Sequence, residues 1–420
     1  MHNRIVGGDN SLNIQALRDV NINIDPEVIE VLLNSTLDDL FKKLSESDDK
    51  LKNEIVRLIR NGNQDEARKV LKKLVKGVSE KFSDDCLDFA NLFMILEPNK
   101  ANEFYEKSLS IDPNNHDAIN CYAIYLMGCG QLDKAEKLFS SSLSIKSLSN
   151  HQREAINGNL GVLYKNSGQW NKAIDFLSAA LRLSRLEQSY IGTVKHLNNL
   201  GSVYINTEDY KSSHIYLKES LSKLDVIIEL EVKPETKNEY KIVKTNILTN
   251  MSIRLRHLYI KDNDKSHLSN AINILNQAID ISEILDRKQE MSRHYGNLSN
   301  IYRQLEDKKE CKKFIRKSLS LSKEIGDHRG EVCGLLNLGL AFYDEKNFSD
   351  AIKALNEGLV KESNSYPKLR ANIFCSLAYV YKDINNQKKM NENAIKAKEL
   401  YEELGLTDSL AVVQRDFIEI

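Results

Sequence analysis

Residues 159–177 read NLGVLYKNSGQWNKAIDFL, and the interpretation of this stretch decides the fold. Leu160, Gly161 and Tyr164 stand at spacings of one and three, which gather on one face of a helix. Asn166-Ser167-Gly168 then interrupts the apolar pattern with a short polar turn. Ala173 follows Gly161 by twelve positions, and Leu177 comes four later. That marks a second helix, whose close approach to the first needs small side chains at the contact. The stretch is a helical hairpin with one small residue on each arm.

The hairpin recurs. Aligned on Gly161, small residues return at Ala123, Gly201, Ser252, Ser299, Gly339 and Ala378. One position before each stands a large apolar residue: Tyr122, Leu200, Met251, Leu298, Leu338 and Leu377. Three positions after comes an aromatic residue or leucine: Leu126, Tyr204, Leu255, Tyr302, Phe342 and Tyr381. The second-helix pattern returns as Ala135 with Phe139, Ser213 with Leu217, Cys311 with Ile315, and Ala351 with Leu355.

This pattern resembles the tetratricopeptide repeat, a helix–turn–helix unit of about 34 residues. The step from Ala101 to Ala135 is 34 residues, while Gly161 to Gly201 and Ser299 to Gly339 are both 40. The longer steps are similar to the extended repeats of kinesin light chains and of the G-protein-signalling modulator scaffolds. The resemblance implies an all-α, right-handed superhelical solenoid over residues 84–405, about eight helix pairs each stacked on its neighbours.

The ends differ. Residues 1–25 are expected to be a Gly/Asn-rich leader, strand-like or disordered, since Leu12, Ile14, Val20, Ile22 and Ile24 alternate with polar residues. Its Asp19-Val20-Asn21-Ile22 resembles segments that precede repeat domains in some prokaryotic conflict and signalling proteins. Residues 26–83 read as N-terminal helices with a degenerate repeat. Pro26 starts one helix, and residues 48–60 and 64–76 pair around Gly62. One internal copy departs from the rest: a long turn, Lys261–Asn270, is expected before its second helix near Ala271, and Pro234 stands at the centre of the segment ahead of it. Met390 replaces the small residue in the last copy. Residues 406–420 are expected to form a helix capping the stack.

Bulk properties narrow the function. The formal net charge of −1 gives no global field to recruit nucleic acid or an anionic membrane. A local basic run, Arg68, Lys69, Lys72, Lys73, Lys76 and Lys81, reads as the solvated face of a helix. The six cysteines lack the two-residue spacing of zinc or thioredoxin-like sites, which implies free thiols and a reducing compartment. The opening MHNRIVGGDN lacks an apolar secretion core, and no run of eighteen apolar residues occurs, so a cytoplasmic protein is expected. Phosphate-loop, His-Glu-x-x-His and Gly-x-Ser-x-Gly motifs are missing, so neither an enzyme nor a cofactor or metal site is expected. His196 and His294 share a repeat position, which suggests packing or groove lining.

One polar feature recurs in register. Asn159, Asn199, Asn250, Asn297 and Asn337 each stand two residues ahead of the small residue. Asparagine is poorly suited to a helix interior, because its amide competes for backbone hydrogen bonds. Five in register suggest a ladder of amides along the inner helices, able to hold an extended peptide by its main chain. The same face carries Asn300 and the cations Lys195, Arg256, Arg293 and Arg303, which suit acidic side chains or a carboxylate. The asparagine row resembles that of kinesin light chains and of the repeat domain of the O-linked N-acetylglucosamine transferase, which implies peptide-backbone binding. The same residues could instead hydrogen-bond the neighbouring helix. The expected function is a protein-interaction scaffold. The alternative is a sensor or regulatory subunit of a prokaryotic signalling or anti-phage system, acting on an effector encoded nearby. Partners are expected to be proteins or peptides rather than nucleic acid or membrane, and a homo-oligomer is compatible.

Overall fold

The computed structural model describes residues 50–60, 63–77, 83–129, 131–362, 366–404 and 406–418. The strand pattern of the leader, the helix expected from Pro26 and the turn at Gly62 lie outside the described residues. Among the described residues every element is helical and there is no strand. Contacts divide the chain into two units, residues 1–152 and 153–420.

The first unit holds α1 (Lys50–Arg60), α2 (Gln64–Gly77), α3 (Ser83–Leu96), α4 (Pro98–Ile111), α5 (His116–Gly128) and α6 (Leu132–Leu143). They pack as consecutive pairs. In the α3–α4 pair Phe104 stacks on Phe93 and meets Phe89 edge-on, and the fully buried Tyr105 packs against Tyr122 and Tyr125 of α5. Lys52 joins α1 to α3 through Asp88 at 2.7 Å and Asp85 at 3.4 Å. Burial alone would lower its pKa, but the two carboxylates outweigh burial and raise it. In the basic run, Arg68 pairs with Asp65, Lys69 with Glu66 and Lys72 with Glu97.

α7 (Asn150–Asn166) begins just before the division. The second unit continues with α8 (Trp170–Leu186), α9 (Tyr190–Asn206), α10 (Tyr210–Leu230), α11 (Pro234–Asp262) and α12 (Lys265–Ile284). It closes with α13 (Lys288–Gln304), α14 (Lys308–Glu324), α15 (His328–Asp344), α16 (Phe348–Glu362), α17 (Pro367–Asp383), α18 (Gln387–Glu403) and α19 (Thr407–Val413). A π-helical turn, Gln414–Ile418, follows α19, and Val413 and Phe417 are buried against the last pair.

The small and large residues of the repeat do what their spacing requires. Leu177, Leu217 and Leu355 are fully buried on second helices. Each lies against the glycine of the first helix. A Cβ at Gly201, for example, would come within 2.6 Å of Leu217 Cγ, and Ser213 Oγ donates to the Gly201 carbonyl at 2.8 Å. Burying each such leucine contributes about 2 kcal/mol. The aromatic position also packs between helices: Tyr164 on Phe176, Tyr204 on Tyr216 and Tyr302 on Phe314.

The hairpin turns share a backbone device. Gly168 and Gly326 have positive φ, and so do Gln188, Glu208, Asn263, Asp286, Glu306, Lys346 and Asn385. At each of these nine turns one residue in the left-handed region reverses the chain after a helix. A capping side chain then opens several of the next helices: Asp209 accepts from Ser212 N, Asp307 from Glu310 N and Asp327 from Gly330 N.

The long turn expected at Lys261–Asn270 is absent. α11 runs to Asp262, Asn263 turns the chain, and Asp264 caps α12 by accepting from Ser266 N at 2.9 Å. The stretch is polar because most of its residues are exposed on the helix ends, not because it lacks helix. Pro234, at the centre of the segment ahead of this copy, starts α11, where its missing N–H removes no helical hydrogen bond.

Candidate peptide-binding face

In the second unit each odd-numbered helix from α9 to α17 packs on the next odd helix as well as on its own partner. The odd helices therefore form one continuous layer. Four of the five asparagines lie in it, Asn199 on α9, Asn250 on α11, Asn297 on α13 and Asn337 on α15, and α7, which carries Asn159, meets α9 through Lys165 and Glu154. Asn159 is buried and the other four are half-buried.

Their amides have different surroundings. Lys165 Nζ donates to Asn199 Oδ1 at 3.4 Å, and Asn250 Nδ2 donates to Asn198 Oδ1 at 3.0 Å. Those two amides bridge helices. The carboxamides of Asn297, Asn300 and Asn337 make no hydrogen bond to any described residue.

What the preceding odd helix presents differs from repeat to repeat: Asn199 meets Lys165, six residues beyond Asn159, whereas Asn250 and Asn337 meet the residue just before the previous asparagine. Asn198 meets Asn250 and supplies an acceptor. Gly296, in the same place on α13, has nothing to offer Asn337, whose Nδ2 lies 4.0 Å from where a Cβ would stand. Thr249 precedes Asn250, and its hydroxyl is engaged elsewhere. It donates to Thr245 O at 2.8 Å and faces His294 Nδ1 at 3.2 Å.

That geometry fixes the state of His294. The Thr249 hydrogen is already used, so Nδ1 carries the imidazole proton and donates to Thr249 Oγ1. Nε2 is buried without a partner. Burial, and then the charge of Arg293, hold the pKa of His294 down to about 3, so the ring is neutral. The matching His196 meets buried Glu154 at 3.1 Å, in space left by Gly158. Both histidines pack between odd helices. Among the described residues no cluster of His, Cys, Asp or Glu could hold a metal ion.

The basic residues also divide. Lys195 is half-buried on α9. Arg293 donates to Asn246 Oδ1 across α11 and α13, and Arg303 reaches Asp344 on α15 at 3.3 Å. Arg256 on α11 makes no hydrogen bond or ion pair with any described residue. Burial, and then the charge of Arg303, hold its pKa below the usual guanidinium range. The buried Nε of Arg303 and Oε1 of Gln304 are also without partners. Asn206, placed on the same stripe by sequence, is exposed and donates to Ser202 O within its own helix. The spacing argument missed Lys165, Asn198, Thr249 and Asp344. Lys165, Asn198 and Asp344 contact the stripe and Thr249 contacts His294, each from a helix one repeat away, and only comparison of neighbouring repeats could have found them.

The architecture is that of a helical-repeat solenoid, with two-helix units packed in order along the chain. Family profiles for the tetratricopeptide repeat match residues 104–137, 152–224 and 293–325. The chain carries tetratricopeptide repeats. No curated protein matches it. Among solved structures it is similar to the apo form of RapI, with 14% identity, 69% of this chain and 99% of that chain covered, and a TM-score of 0.49. It is also similar to NprR in complex with its cognate peptide NprX, with 17% identity, 75% and 89% coverage and a TM-score of 0.49. A third is a signal-transduction ATPase with a tetratricopeptide repeat sensor from Pyrococcus horikoshii, with 17% identity, 96% and 65% coverage and a TM-score of 0.48. Among the described residues no helix is long and apolar enough to cross a membrane.

Proposed function

We propose that the odd-helix layer of the second unit binds an extended segment of a partner protein, with Asn297, Asn300 and Asn337 pairing to its main chain. The observation that carries this reading is the set of three half-buried carboxamides, two of them at the same repeat position, that lack hydrogen bonds to the described residues. None of the three carboxamides has an oxygen or nitrogen sealed from solvent, so each is open to a ligand that replaces water. A carboxamide both donates and accepts, so it matches the N–H and C=O of a chain whatever its side chains. Packed helices lie about 10 Å apart, roughly three residues of extended chain at ~3.3 Å each. Asn297 and Asn337 therefore suit main-chain groups about three residues apart. The chain acts in this reading as an interaction scaffold.

The test is selection of peptides from a random dodecamer library on the whole protein, followed by affinity measurement for the best binder. The double variant Asn297→Ala, Asn337→Ala is expected to bind it about tenfold or more weakly, since two hydrogen bonds of about 1 kcal/mol each are lost. Unchanged affinity in a variant with native helicity would remove the main-chain role.

A further inference from the structure

We infer that the outer face of α14 docks an acidic helical segment of a partner protein. This surface belongs to a second helix and not to the odd-helix layer, so the inference goes beyond main-chain capture and does not depend on it.

α14 carries seven cations and two carboxylates, in a chain whose formal net charge is −1. Both carboxylates are already engaged, Glu310 with Lys313 at 2.6 Å and Glu324 with Lys288 of α13 at 2.7 Å. Lys309, Arg316, Lys317 and Lys323 are exposed and make no ion pair with any described residue. Lys317 lies instead over the Tyr295 ring of α13, 4.8 Å from its centroid, while Glu283 of α12 accepts from the Tyr295 hydroxyl at 3.2 Å. Lys309, Lys313, Arg316 and Lys323 form one row, because steps of three, four and seven residues keep to one face of a helix. The row weakens the helix that bears it. Like charges three and four residues apart repel, and Lys308 and Lys309 stand in the first turn, where the helix dipole disfavours cations. Packing does not demand the row: in the places of Lys309, Arg316 and Lys323, α12 carries Ser269, Asn276 and Glu283, all exposed.

Charge complementarity selects the occupant. From Lys309 to Lys323 the row is about 21 Å long, and it is one helix wide. Acidic residues three and four apart on a partner helix repeat in the same ~5–6 Å steps, so the two rows stay in register along their length. The ridges on either side narrow the choice. Asp280 and Glu283 on α12 and Glu357 on α16 are exposed, and they repel a phosphodiester chain or an anionic lipid surface that spreads across neighbouring helices. Ile284 follows Glu283 and is 77% exposed, and Val360, one turn beyond Glu357, is 80% exposed. Aliphatic side chains on both flanks suit the apolar positions of an amphipathic helix, whereas a phosphate backbone has nothing to place against them.

The experiment measures, by fluorescence anisotropy on the whole protein, binding of a labelled amphipathic peptide of about 20 residues with glutamates three and four apart and leucines on the adjoining stripe. Its counterpart with glutamine for glutamate, oligodeoxythymidine and phosphatidylserine vesicles are compared. The wild type is expected to bind the glutamate peptide about tenfold or more tightly than the glutamine one, and less tightly as salt rises. The variant Lys309→Glu, Arg316→Glu is expected to lose about tenfold or more. Lys211→Glu, Lys218→Glu makes the same change of charge at the matching exposed positions of α10, and it stays within about twofold of the wild type. The melting temperature of the α14 variant is equal to or above that of the wild type, because carboxylates now face Lys312 and Lys313, so its lost affinity is not lost folding. Asn297→Ala, Asn337→Ala binds the glutamate peptide as the wild type does, which separates this surface from the amide stripe. Equal binding of the two peptides, equal losses in the α14 and α10 variants, or a comparable loss in the asparagine variant would overturn the inference. Tighter binding of oligodeoxythymidine or of the vesicles than of the peptide, abolished in the α14 variant, would overturn the acidic helix as occupant.

Discussion

On α9 and α11 the carboxamides of Asn199 and Asn250 are held by groups from neighbouring helices, whereas those of Asn297 and Asn337 on α13 and α15 have no such partner. The residue type and the repeat position are the same in all four. What differs is what the preceding odd helix presents: Lys165 to Asn199, Asn198 to Asn250, and Gly296 to Asn337. A repeated residue can thus be part of the framework in one repeat and available to a ligand in another. The contrast teaches that a ladder read from sequence is a set of positions, and that its chemistry is settled pairwise, one helix against the next.

The largest expected effect lies at the junction of the two ends, where His294 packs under Thr249. The folded pKa of His294 is about 3, against an ordinary value near 6.5. Below pH 6.5 the unfolded chain takes up a proton that the folded chain refuses. Stability is therefore fully present above that pH and falls as pH drops toward 3, by about 1.4 kcal/mol per pH unit from this one group. Denaturant unfolding at several pH values should show the slope in the wild type and a shallower one in His294→Leu. Equal slopes would mean that His294 is not held neutral.

A second prediction checks that the contrast lies in the stripe and not in the core. Leu217 under Gly201 and Ile315 on α14 are both buried. Leu217→Ala and Ile315→Ala should each cost about 3 kcal/mol in the same assay. A clear difference between them would place the contrast in the packing instead.

The sharpest test transfers the neighbour. A side chain at Gly296 has room, since its nearest contacts would be ordinary van der Waals ones, with Ser318 Oγ at 3.7 Å and Asn337 Nδ2 at 4.0 Å. Gly296→Asn should give Asn337 the partner that Asn198 gives Asn250. It should stabilise by about 1 kcal/mol, from helix propensity and the new hydrogen bond, and weaken binding of the selected peptide. Tighter peptide binding with no gain in stability would contradict the pairwise account. The smallest effects come from single amides. Asn250→Ala should cost about 1 kcal/mol, because Asn198 loses its donor, while Asn337→Ala should change stability by less than about 0.5 kcal/mol.

Much of the fold was legible. The alternation of small and large residues, Gly161 with Leu177 or Gly201 with Leu217, carries its own geometry: a helix pair that close admits only a small side chain at the contact. The turns were less legible. Gly168 announces a left-handed residue, but Gln188, Glu208 and Lys346 adopt the same conformation without glycine. The polar run at Lys261–Asn270 looked like a loop and is the end of one helix and the start of the next, since exposed helix ends and turns draw on the same residues.

The sequence by itself determined the period, the pairing of helices and the placement of five asparagines at one position of the odd helices, because each follows from contacts within a hairpin or from residues a fixed step apart. Only the tertiary structure decided which of those amides are engaged and where a cation stands without a counter-charge. Those outcomes depend on side chains 34 to 52 positions away, brought together by stacking, and a single helix carries no record of what its neighbour will present.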